Sequence, residues 1–348
     1  MFFLNSIRKN IYEGINYRLR TFAGGRFASV CRPTSIALLM SERCNARCLH
    51  CDIWKNRGKE DSPSEAQWRS VLWDLRKWLG PVQVVFTGGE ALLQGFTINL
   101  VKYSSSIGLF TELLTHGYWE DQNRIETVAL AKPARVTVSF DGLGATHSLI
   151  RGKDNFFEKT ERTIRTLSRM RRERNLKMAI RLKTVIMRQN VGEVSAIANF
   201  AEKEGLEVFY QPIEQNYNTP DDPHWFEHSP NWPTDIEMVA AVINTLQELK
   251  TQGLPIANSS AQLAAMVPYF KDPGSLRVAT QSHAAHEKKL SCSALTTLQI
   301  QANGDVTVCP AMEPVGNIKV KPVREIWEER PHWWKAGCCL EHRLTTIE

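Results

Sequence analysis

The sequence predicts an α/β fold: a partial parallel barrel of six strand–helix units, followed by a small C-terminal extension made of a β-hairpin and a helix. Two observations support this prediction. From residue 35 to about residue 253, short β-rich runs alternate with helical patterns, the order typical of a parallel sheet. Nearer the C-terminus, two alternating runs flank Asn303-Gly304-Asp305, which is typical of a hairpin turn.

Six strands are predicted, each followed by a helical pattern. They run from Ile36 to Met40, Val82 to Thr87, Leu109 to Thr115, Arg135 to Phe140, Met178 to Ile186 and Leu206 to Ile213. The first helix is predicted to begin in the capping box Ser62-Pro63-Ser64-Glu65, with proline at the first helical position, and to end at Gly80. The last helix of the barrel opens similarly between Thr234 and Glu237 and ends before Gly253.

Four segments are expected along the chain. Residues 1–34 form a basic amphipathic segment, 35–253 the partial barrel, 254–290 a helical connector and 291–348 the C-terminal extension. In the first segment, apolar residues recur at helical spacing among basic ones. This pattern favours a helix packed against the barrel, and the alternative is peripheral membrane contact through residues 1–20.

Composition narrows the class of protein. The 348 residues suffice for a barrel of about 200 to 250 residues plus a small appendage. A hydrophobic content of 43% argues against a disordered chain, and no apolar run approaches the roughly 18 residues that span a bilayer. The mild net charge of +6 disfavours a nucleic-acid partner. Without a signal-peptide pattern at the start, we expect a cytoplasmic protein whose eight cysteines act as metal ligands rather than disulfides.

The most informative motif is a group of three cysteines directly after the first predicted strand. Cys44, Cys48 and Cys51 have the spacing C-x3-C-x2-C. Three thiolates this close can hold three corners of a cubane iron–sulfur cluster, whereas clusters in electron carriers normally take four cysteines. The fourth iron is then open to a small molecule, which indicates chemistry at the cluster. Cys31 has no partner at metal-binding spacing and is interpreted as a buried thiol.

This cysteine spacing resembles the signature of the radical SAM superfamily. The resemblance implies a [4Fe-4S] cluster on these three cysteines, S-adenosylmethionine bound to it, and a barrel of the radical SAM type. It further implies reductive cleavage of S-adenosylmethionine to a 5′-deoxyadenosyl radical, which takes hydrogen from a peptide or small-molecule substrate. An external electron donor such as flavodoxin or ferredoxin would reduce the cluster. No catalytic residue is assigned beyond the cluster.

A second motif, Gly88-Gly89-Glu90, ends the second predicted strand. Two glycines let a backbone approach a ligand closely, and the carboxylate can accept bonds from an ammonium group. By the resemblance, the motif receives the methionine amino group of S-adenosylmethionine. Ala91 stands where the family usually has proline, and this replacement removes no donor or acceptor. The alternative is that the two glycines only form a turn.

The fourth strand continues the resemblance, towards radical SAM proteins with a SPASM or twitch extension. By that likeness Ser139 contacts the cofactor, while Arg151 either orders its loop or pairs with the cofactor carboxylate. Arg181 and Lys183, two apart on the fifth strand and therefore on the same side, compete for that carboxylate. Asp141, beside a glycine, is interpreted as a turn residue rather than an acid or base.

The C-terminal cysteines form a separate group. Cys292, Gly304 and Cys309 have the pattern Cys-x11-Gly-x4-Cys, and a hairpin brings the two cysteines to comparable depth, so both can face one metal centre. The pattern resembles the opening of SPASM and twitch extensions, which implies an auxiliary iron–sulfur cluster. The four cysteines left for it fit a single [4Fe-4S] cluster. Its other ligands would be Cys338, Cys339 or His342, and a structural zinc site is the alternative.

A long polar and aromatic loop, residues 215–233, follows the sixth strand. A loop of about 20 residues inside a compact domain is unusual unless it is functional. We predict a lid or substrate-contact loop, with a bridge to the C-terminal segment as the alternative. For the whole chain, the competing hypothesis is a non-catalytic iron–sulfur electron-transfer or metal-binding protein, which would have no need of Glu90.

Overall fold

A single sheet organises the chain. The structure is a computed structural model that describes residues 30–56, 61–217, 219–220, 222, 224–273, 296–308 and 313–330, with residues 7, 11, 14–15 and 18–19. Six parallel strands are β1 Ser35–Leu39, β2 Gln83–Thr87, β3 Phe110–Thr115, β4 Arg135–Ser139, β5 Ala179–Ile186 and β6 Glu207–Pro212. Each strand pairs with the next strand in the chain, so the order of these six strands in the sheet is their order in the sequence. The predicted six-strand α/β fold is confirmed.

Helices connect the strands. Those of the described residues are α1 Glu65–Leu79, α2 Thr97–Ser106, α3 Gln122–Leu130, α4 Ala145–Arg151, α5 Phe156–Glu173, α6 Val194–Glu204, α7 Trp225–His228, α8 Ile236–Thr251, α9 Ser260–Lys271 and α10 Val323–Glu329. Short 3-10 turns lie at Ile53–Lys55, Ala91–Leu93 and Val191–Glu193. Within the described ranges, none of the helices has the length and apolar character to cross a lipid bilayer.

The predicted helix starts are off by a few residues. The N-cap of α1 is Ser64, whose side chain accepts from the Gln67 backbone while the Gln67 side chain accepts from the Ser64 backbone. Proline therefore precedes the cap instead of occupying the first helical position. Likewise α8 is capped by Asp235, which accepts from the Met238 backbone. In both helices the extended cap residue, with its short oxygen side chain, decides where the helix begins.

The C-terminal segment joins the barrel sheet. Three further strands, β7 Thr297–Ile300, β8 Asp305–Thr307 and β9 Gly316–Asn317, extend the sheet beyond β1 to nine strands. Strand β7 pairs parallel with β1, and β7 and β8 form the predicted hairpin. Helix α10 packs against α1, where the Trp327 and Trp78 rings lie 6.3 Å apart. Cys31 is buried and forms no disulfide, and its carbonyl accepts from the Trp327 indole at 2.9 Å.

The two faces of the six parallel strands differ. One face is buried in the main hydrophobic core, as Phe86, Val138 and Leu182 show. The opposite face is polar, and many of its side chains bond one another. Glu112 there accepts hydrogen bonds from the side chains of Gln83, Arg135 and Thr137. The barrel therefore offers a polar inner face below the edge where the cysteine motif begins.

Candidate functional site

The cysteine motif begins where β1 reaches the carboxyl edge of the sheet, the edge at which parallel barrels build their sites. The chain after β1 is held by the chain after β2. The Gly89 N–H donates to the Ser41 carbonyl at 2.7 Å, and the Glu90 N–H donates to the Arg43 carbonyl at 3.0 Å. A Cβ added to Gly88 or Gly89 would lie 2.4 or 2.5 Å from those carbonyl oxygens. The two glycines thus permit close approach of the protein's own backbone beside Cys44.

The Glu90 carboxylate is turned into the protein. It is 1% exposed and accepts from the Leu92 N–H at 3.0 Å, the His116 N–H at 2.8 Å and the Thr115 hydroxyl at 3.1 Å. Burial raises its pKa to about 7 despite these donors. The sequence analysis assigned this carboxylate to the cofactor ammonium group. The structure gives it three protein donors instead, and contact with the cofactor stays a prediction.

His116 connects the end of β3 to the cysteine loop. Its Nδ1 accepts from the Tyr118 N–H at 2.9 Å, so the ring proton of the neutral imidazole is on Nε2. Nε2 then donates to Asn45 Oδ1 at 2.6 Å. The ring stacks on Trp119 at 5.6 Å, and burial lowers its pKa well below the usual range. The sequence analysis gave His116 no role, because its partner lies 71 residues away.

The other side of the cysteine loop rests on the end of α4. The Arg47 N–H donates to the Arg151 carbonyl at 3.0 Å, and the Leu49 N–H donates to the Ile150 carbonyl at 2.9 Å. Gly152 ends the helix in a left-handed conformation, with φ of 72°. A Cβ there would lie 2.2 Å from the Arg47 carbonyl oxygen. Only glycine fits this position, because the loop backbone occupies the space of a side chain.

Arg151 lies between Asp141 and the second cysteine. Its Nη2 forms an ion pair with Asp141, and its Nη1 lies 3.5 Å from Cys48 Sγ. Asp141 also accepts from the Val185 N–H at 2.9 Å. Burial opposes the charge on Asp141, but the Arg151 guanidinium together with His50, His147 and the Val185 N–H outweighs it and lowers the pKa of the carboxyl. Asp141 is therefore a buried counter-ion, and its interpretation as a turn residue was incomplete.

The other two candidate cations differ sharply. Arg181 donates from Nε and Nη2 to Glu207 at 3.0 and 2.8 Å, and it pairs in register with Thr137, two residues below the end of β4. Cofactor binding by Arg181 stays a prediction, although its guanidinium is already paired and lies away from the edge. Lys183 pairs in register with Ser139. Among the described residues, the side chains of Lys183 and Ser139 have no hydrogen-bond partner.

The three thiols fit an iron–sulfur cluster. All three are free, and the backbone at Ala46 and Ile53 hydrogen-bonds to the Cys44 and Cys51 sulfurs. Burial raises the pKa of Cys44 to about 12 and also raises those of Cys48 and Cys51. Such thiols need a nearby positive charge to become thiolates, and iron supplies it. No three His, Cys, Asp or Glu side chains among the described residues are grouped to hold a single metal ion.

His50, which lies between two of the cysteines, has a polar atom without a protein partner. Its Nδ1 is buried and no donor or acceptor among the described residues reaches it. Burial lowers its pKa to about 4, so the ring is neutral. A buried imidazole nitrogen left open in this way suits a bound group at the cluster. The sequence analysis passed over His50, although its position inside the motif was a signal.

The loop after β6 also contacts the cysteine loop. The Leu49 carbonyl accepts from the Asn231 side chain at 2.9 Å and from the Asn216 side chain at 3.3 Å. The Asp52 N–H donates to the Tyr217 carbonyl at 3.1 Å. The end of this loop away from β6 is packed among aromatic rings. The loop therefore lies directly beside the loop that carries the three cysteines. A role as lid or substrate contact stays a prediction.

The predicted ligands of the auxiliary cluster are not among the residues that the structure describes. Cys292, Cys309, Cys338, Cys339 and His342 all fall outside the described residues. The hairpin that precedes Cys309 is described, and its turn glycine, Gly304, has φ of 93°. The predicted hairpin turn is thus present, and the ligands of an auxiliary cluster stay a prediction.

An α/β barrel with three free thiols in one loop at its carboxyl edge defines a class of barrel proteins built around an iron–sulfur cluster. The profile of the radical SAM superfamily matches residues 38–201, and that of SPASM, an iron-sulfur cluster-binding domain, matches residues 292–334. The chain belongs to the radical SAM superfamily and carries a C-terminal SPASM domain. Its cofactors are therefore S-adenosylmethionine and a [4Fe-4S] cluster, with auxiliary iron–sulfur chemistry in the SPASM domain.

Individual relatives are distant. The chain is 24% identical to pre-heme d1 synthase of Dinoroseobacter shibae, over 83% of this chain and 71% of that protein. It is 28% identical to sporulation killing factor maturation protein SkfB of Bacillus subtilis, over 51% of this chain and 42% of that protein. The crystal structure of Streptococcus suis SuiB bound to S-adenosylmethionine superposes with a TM-score of 0.66 at 15% identity, over 88% and 68% of the two chains. This last likeness shows a shared fold.

Proposed function

We propose that this chain cleaves S-adenosylmethionine reductively and uses the product radical to oxidise, crosslink or rearrange a peptide or small-molecule substrate. The observation that carries the proposal is the fixation of the cysteine loop from two sides. Backbone bonds from Gly89 and Glu90 hold its entry, and bonds to Ile150 and Arg151 hold its middle. A simple metal store would not need thiols held so rigidly beside an open polar face.

The protein's own residues supply binding and orientation. Cys44, Cys48 and Cys51 would hold the cluster, which with bound S-adenosylmethionine supplies a 5′-deoxyadenosyl radical. Lys183 would take the methionine carboxylate, because it is the candidate cation without an ion pair among the described residues. Ser139, its neighbour in register, would donate its hydroxyl to the same molecule.

The substrate is proposed as one of two classes. Relatives aligned with most of this chain include pre-heme d1 synthase and an AdoMet-dependent heme synthase of Methanosarcina barkeri, the latter over 85% of this chain. A PqqA peptide cyclase, whose name specifies a peptide, aligns with 33% of it, and SkfB, named as a maturation protein, aligns with 51%. We therefore place a heme-type small molecule first and a peptide second. Mass spectrometry of cells that express the protein distinguishes the two substrate classes. A mass change in a small metabolite would support the first class, and a mass change in a peptide would support the second.

The C-terminal cysteines would hold one auxiliary cluster, through Cys292 and Cys309 with Cys338, Cys339 or His342. We propose that the barrel spans residues 35–253 and that the C-terminal extension spans residues 291–348. An external donor such as flavodoxin or ferredoxin would deliver the electron.

The decisive experiment measures 5′-deoxyadenosine. Anaerobically reconstituted, dithionite-reduced protein is incubated with S-adenosylmethionine beside a variant with Cys44, Cys48 and Cys51 all changed to Ala. We expect product from the wild type and none from the variant. A wild-type protein that holds about four irons per cluster and forms no product would instead support a non-catalytic electron carrier.

A further inference from the structure

Arg151 touches the cysteine loop at two points. Its carbonyl accepts from the Arg47 N–H at 3.0 Å, and its Nη1 lies 3.5 Å from Cys48 Sγ, within the range of an N–H···S hydrogen bond. The residue is only 6% exposed. A buried guanidinium so close to a predicted cluster sulfur is part of the surroundings of that sulfur.

The guanidinium is fixed where it lies. Its Nη2 pairs with Asp141, whose Oδ1 accepts from the Val185 N–H at 2.9 Å. The Asp141 carbonyl accepts from the Asn190 side chain at 2.7 Å, and the Asp141 N–H donates to His147 at 3.0 Å. Because β5, the chain after it and α4 all hold Asp141, the arginine cannot move away without leaving a buried charge unpaired.

This arrangement leaves Arg151 little to offer a cofactor carboxylate. Nη2 is paired with Asp141, Nη1 lies against Cys48, and Nε has no partner among the described residues. A carboxylate clamped by two N–H groups of this guanidinium would have to share Nη2 with Asp141. Lys183, in register with Ser139 on the neighbouring strand, has no ion pair among the described residues.

We propose that Arg151 is a positioning residue that donates an N–H to the cluster sulfur of Cys48 and raises the reduction potential of the cluster. The inference rests on the proposed function, since it assigns the cluster to Cys44, Cys48 and Cys51. A reduced cluster carries one more negative charge than an oxidised one. A donated hydrogen bond and a fixed cation stabilise that form, and Asp141 offsets part of the effect.

The test is a redox titration of the reconstituted full-length protein without S-adenosylmethionine, followed by electron paramagnetic resonance. Arg151→Met should shift the midpoint potential to more negative values, and Arg151→Lys should recover part of the shift by keeping the charge. Asp141→Asn should shift the potential in the opposite direction, because it removes a negative charge beside the sulfur. Arg181→Met removes a paired cation elsewhere on the sheet and should leave the potential unchanged.

Two results would overturn the inference. One is an unchanged potential in both Arg151 variants together with a more than tenfold rise in the Kd for S-adenosylmethionine, which would assign Arg151 to the cofactor. The other is a shift of the same sign in Arg151→Met and Asp141→Asn, which would indicate general loosening. If Arg151→Met fails to retain iron, the midpoint potentials of Arg151→Lys and Asp141→Asn show whether Arg151 raises or lowers the potential of the cluster. Failure of the proposed function is distinct, because loaded wild-type protein would then form no 5′-deoxyadenosine.

Discussion

His116 Nε2 donates to Asn45 Oδ1 across 2.6 Å, and this bond ties the end of the third strand to the loop of cluster cysteines. The same histidine donates its backbone N–H to Glu90, whose own N–H donates to the Arg43 carbonyl. The chain from Arg43 to Asn45 is thereby held at both ends by hydrogen bonds that flank Cys44. The geometry of the first cysteine therefore depends on residues of three strands.

The His116–Asn45 bond predicts a contrast between two substitutions. His116→Phe keeps a ring against Trp119 but removes the donor, and it leaves the Asn45 oxygen unsatisfied at a cost of about 1 to 3 kcal/mol. His116→Gln retains an N–H donor at a comparable distance. We expect faster loss of iron to a chelator from the phenylalanine variant, with the glutamine variant nearer to wild type. Equal iron loss in both would show that the donor does not hold the loop.

Gly152 predicts a steric effect on the cysteine loop. In Gly152→Ala the new methyl group would meet the Arg47 carbonyl oxygen, so the loop must move. Gly205→Ala is the matched control, because Gly205 also ends a helix in the left-handed conformation, with φ of 66°, and the atom nearest to the new Cβ is Arg171 Nη2 at an ordinary 3.8 Å. The control should lose about 1 kcal/mol of unfolding free energy from backbone strain alone. We expect a larger loss and lower iron content for Gly152→Ala, measured by urea denaturation and iron analysis.

Two asparagines on one acceptor predict unequal effects. Asn231 is buried, and besides its bond to the Leu49 carbonyl its Oδ1 accepts from Gln189 at 2.8 Å. Asn216 reaches the same carbonyl from a more exposed position. Asn231→Ala should cost about 1 to 3 kcal/mol of unfolding free energy, whereas Asn216→Ala should stay within about 0.5 kcal/mol. Similar losses in the two variants would contradict a specific anchoring role for Asn231.

His147 predicts a pH dependence of stability. Burial, assisted by the charge of Arg151, lowers its pKa from 6.5 to about 3. Between those values the unfolded chain binds a proton that the folded chain does not, so the unfolding free energy falls as the pH drops below 6.5. One such histidine contributes up to about 1.4 kcal/mol per pH unit.

His147→Asn checks this prediction, because the asparagine oxygen can accept the Asp141 N–H in place of Nδ1. Urea denaturation of the apo-protein at pH 6 and pH 5 should show a smaller pH slope in the variant, by about one proton. His50 also has a lowered pKa, about 4, and leaves a remaining slope in both proteins. Identical slopes would mean that His147 is protonated in the fold.

The elements that the sequence predicted well are those with local patterns. The six strands were found because each is a short apolar or alternating run, and the hairpin because Asn303-Gly304-Asp305 favours one turn. Helix starts were less accurate, since two neighbouring residues such as Ser62 and Ser64 can both serve as caps. The pairing of β7 with β1 was not predicted, because parallel pairing between distant strands leaves no local mark.

The roles of the polar side chains were harder to predict for the same reason. Arg181 and Lys183 look equivalent in the sequence, yet within the described ranges only Arg181 is in ion-pair contact with an acidic residue, Glu207 on the next strand. Asp141 beside a glycine looks like a turn residue until Arg151 is packed against it. Which charged side chains form ion pairs depends on how the strands and helices are aligned with one another. A single sequence does not show this alignment.

By itself, the sequence determined the three cysteines, the superfamily and the order of strands and helices, because these depend on residues close together in the chain. The tertiary structure decided which groups surround the cysteines. Arg151 and Cys48 are 103 residues apart, and Asn231 and Leu49 are 182 apart. Contacts over such separations form only when the sheet brings its carboxyl edge together, so packing rather than spacing sets the surroundings of the cluster site.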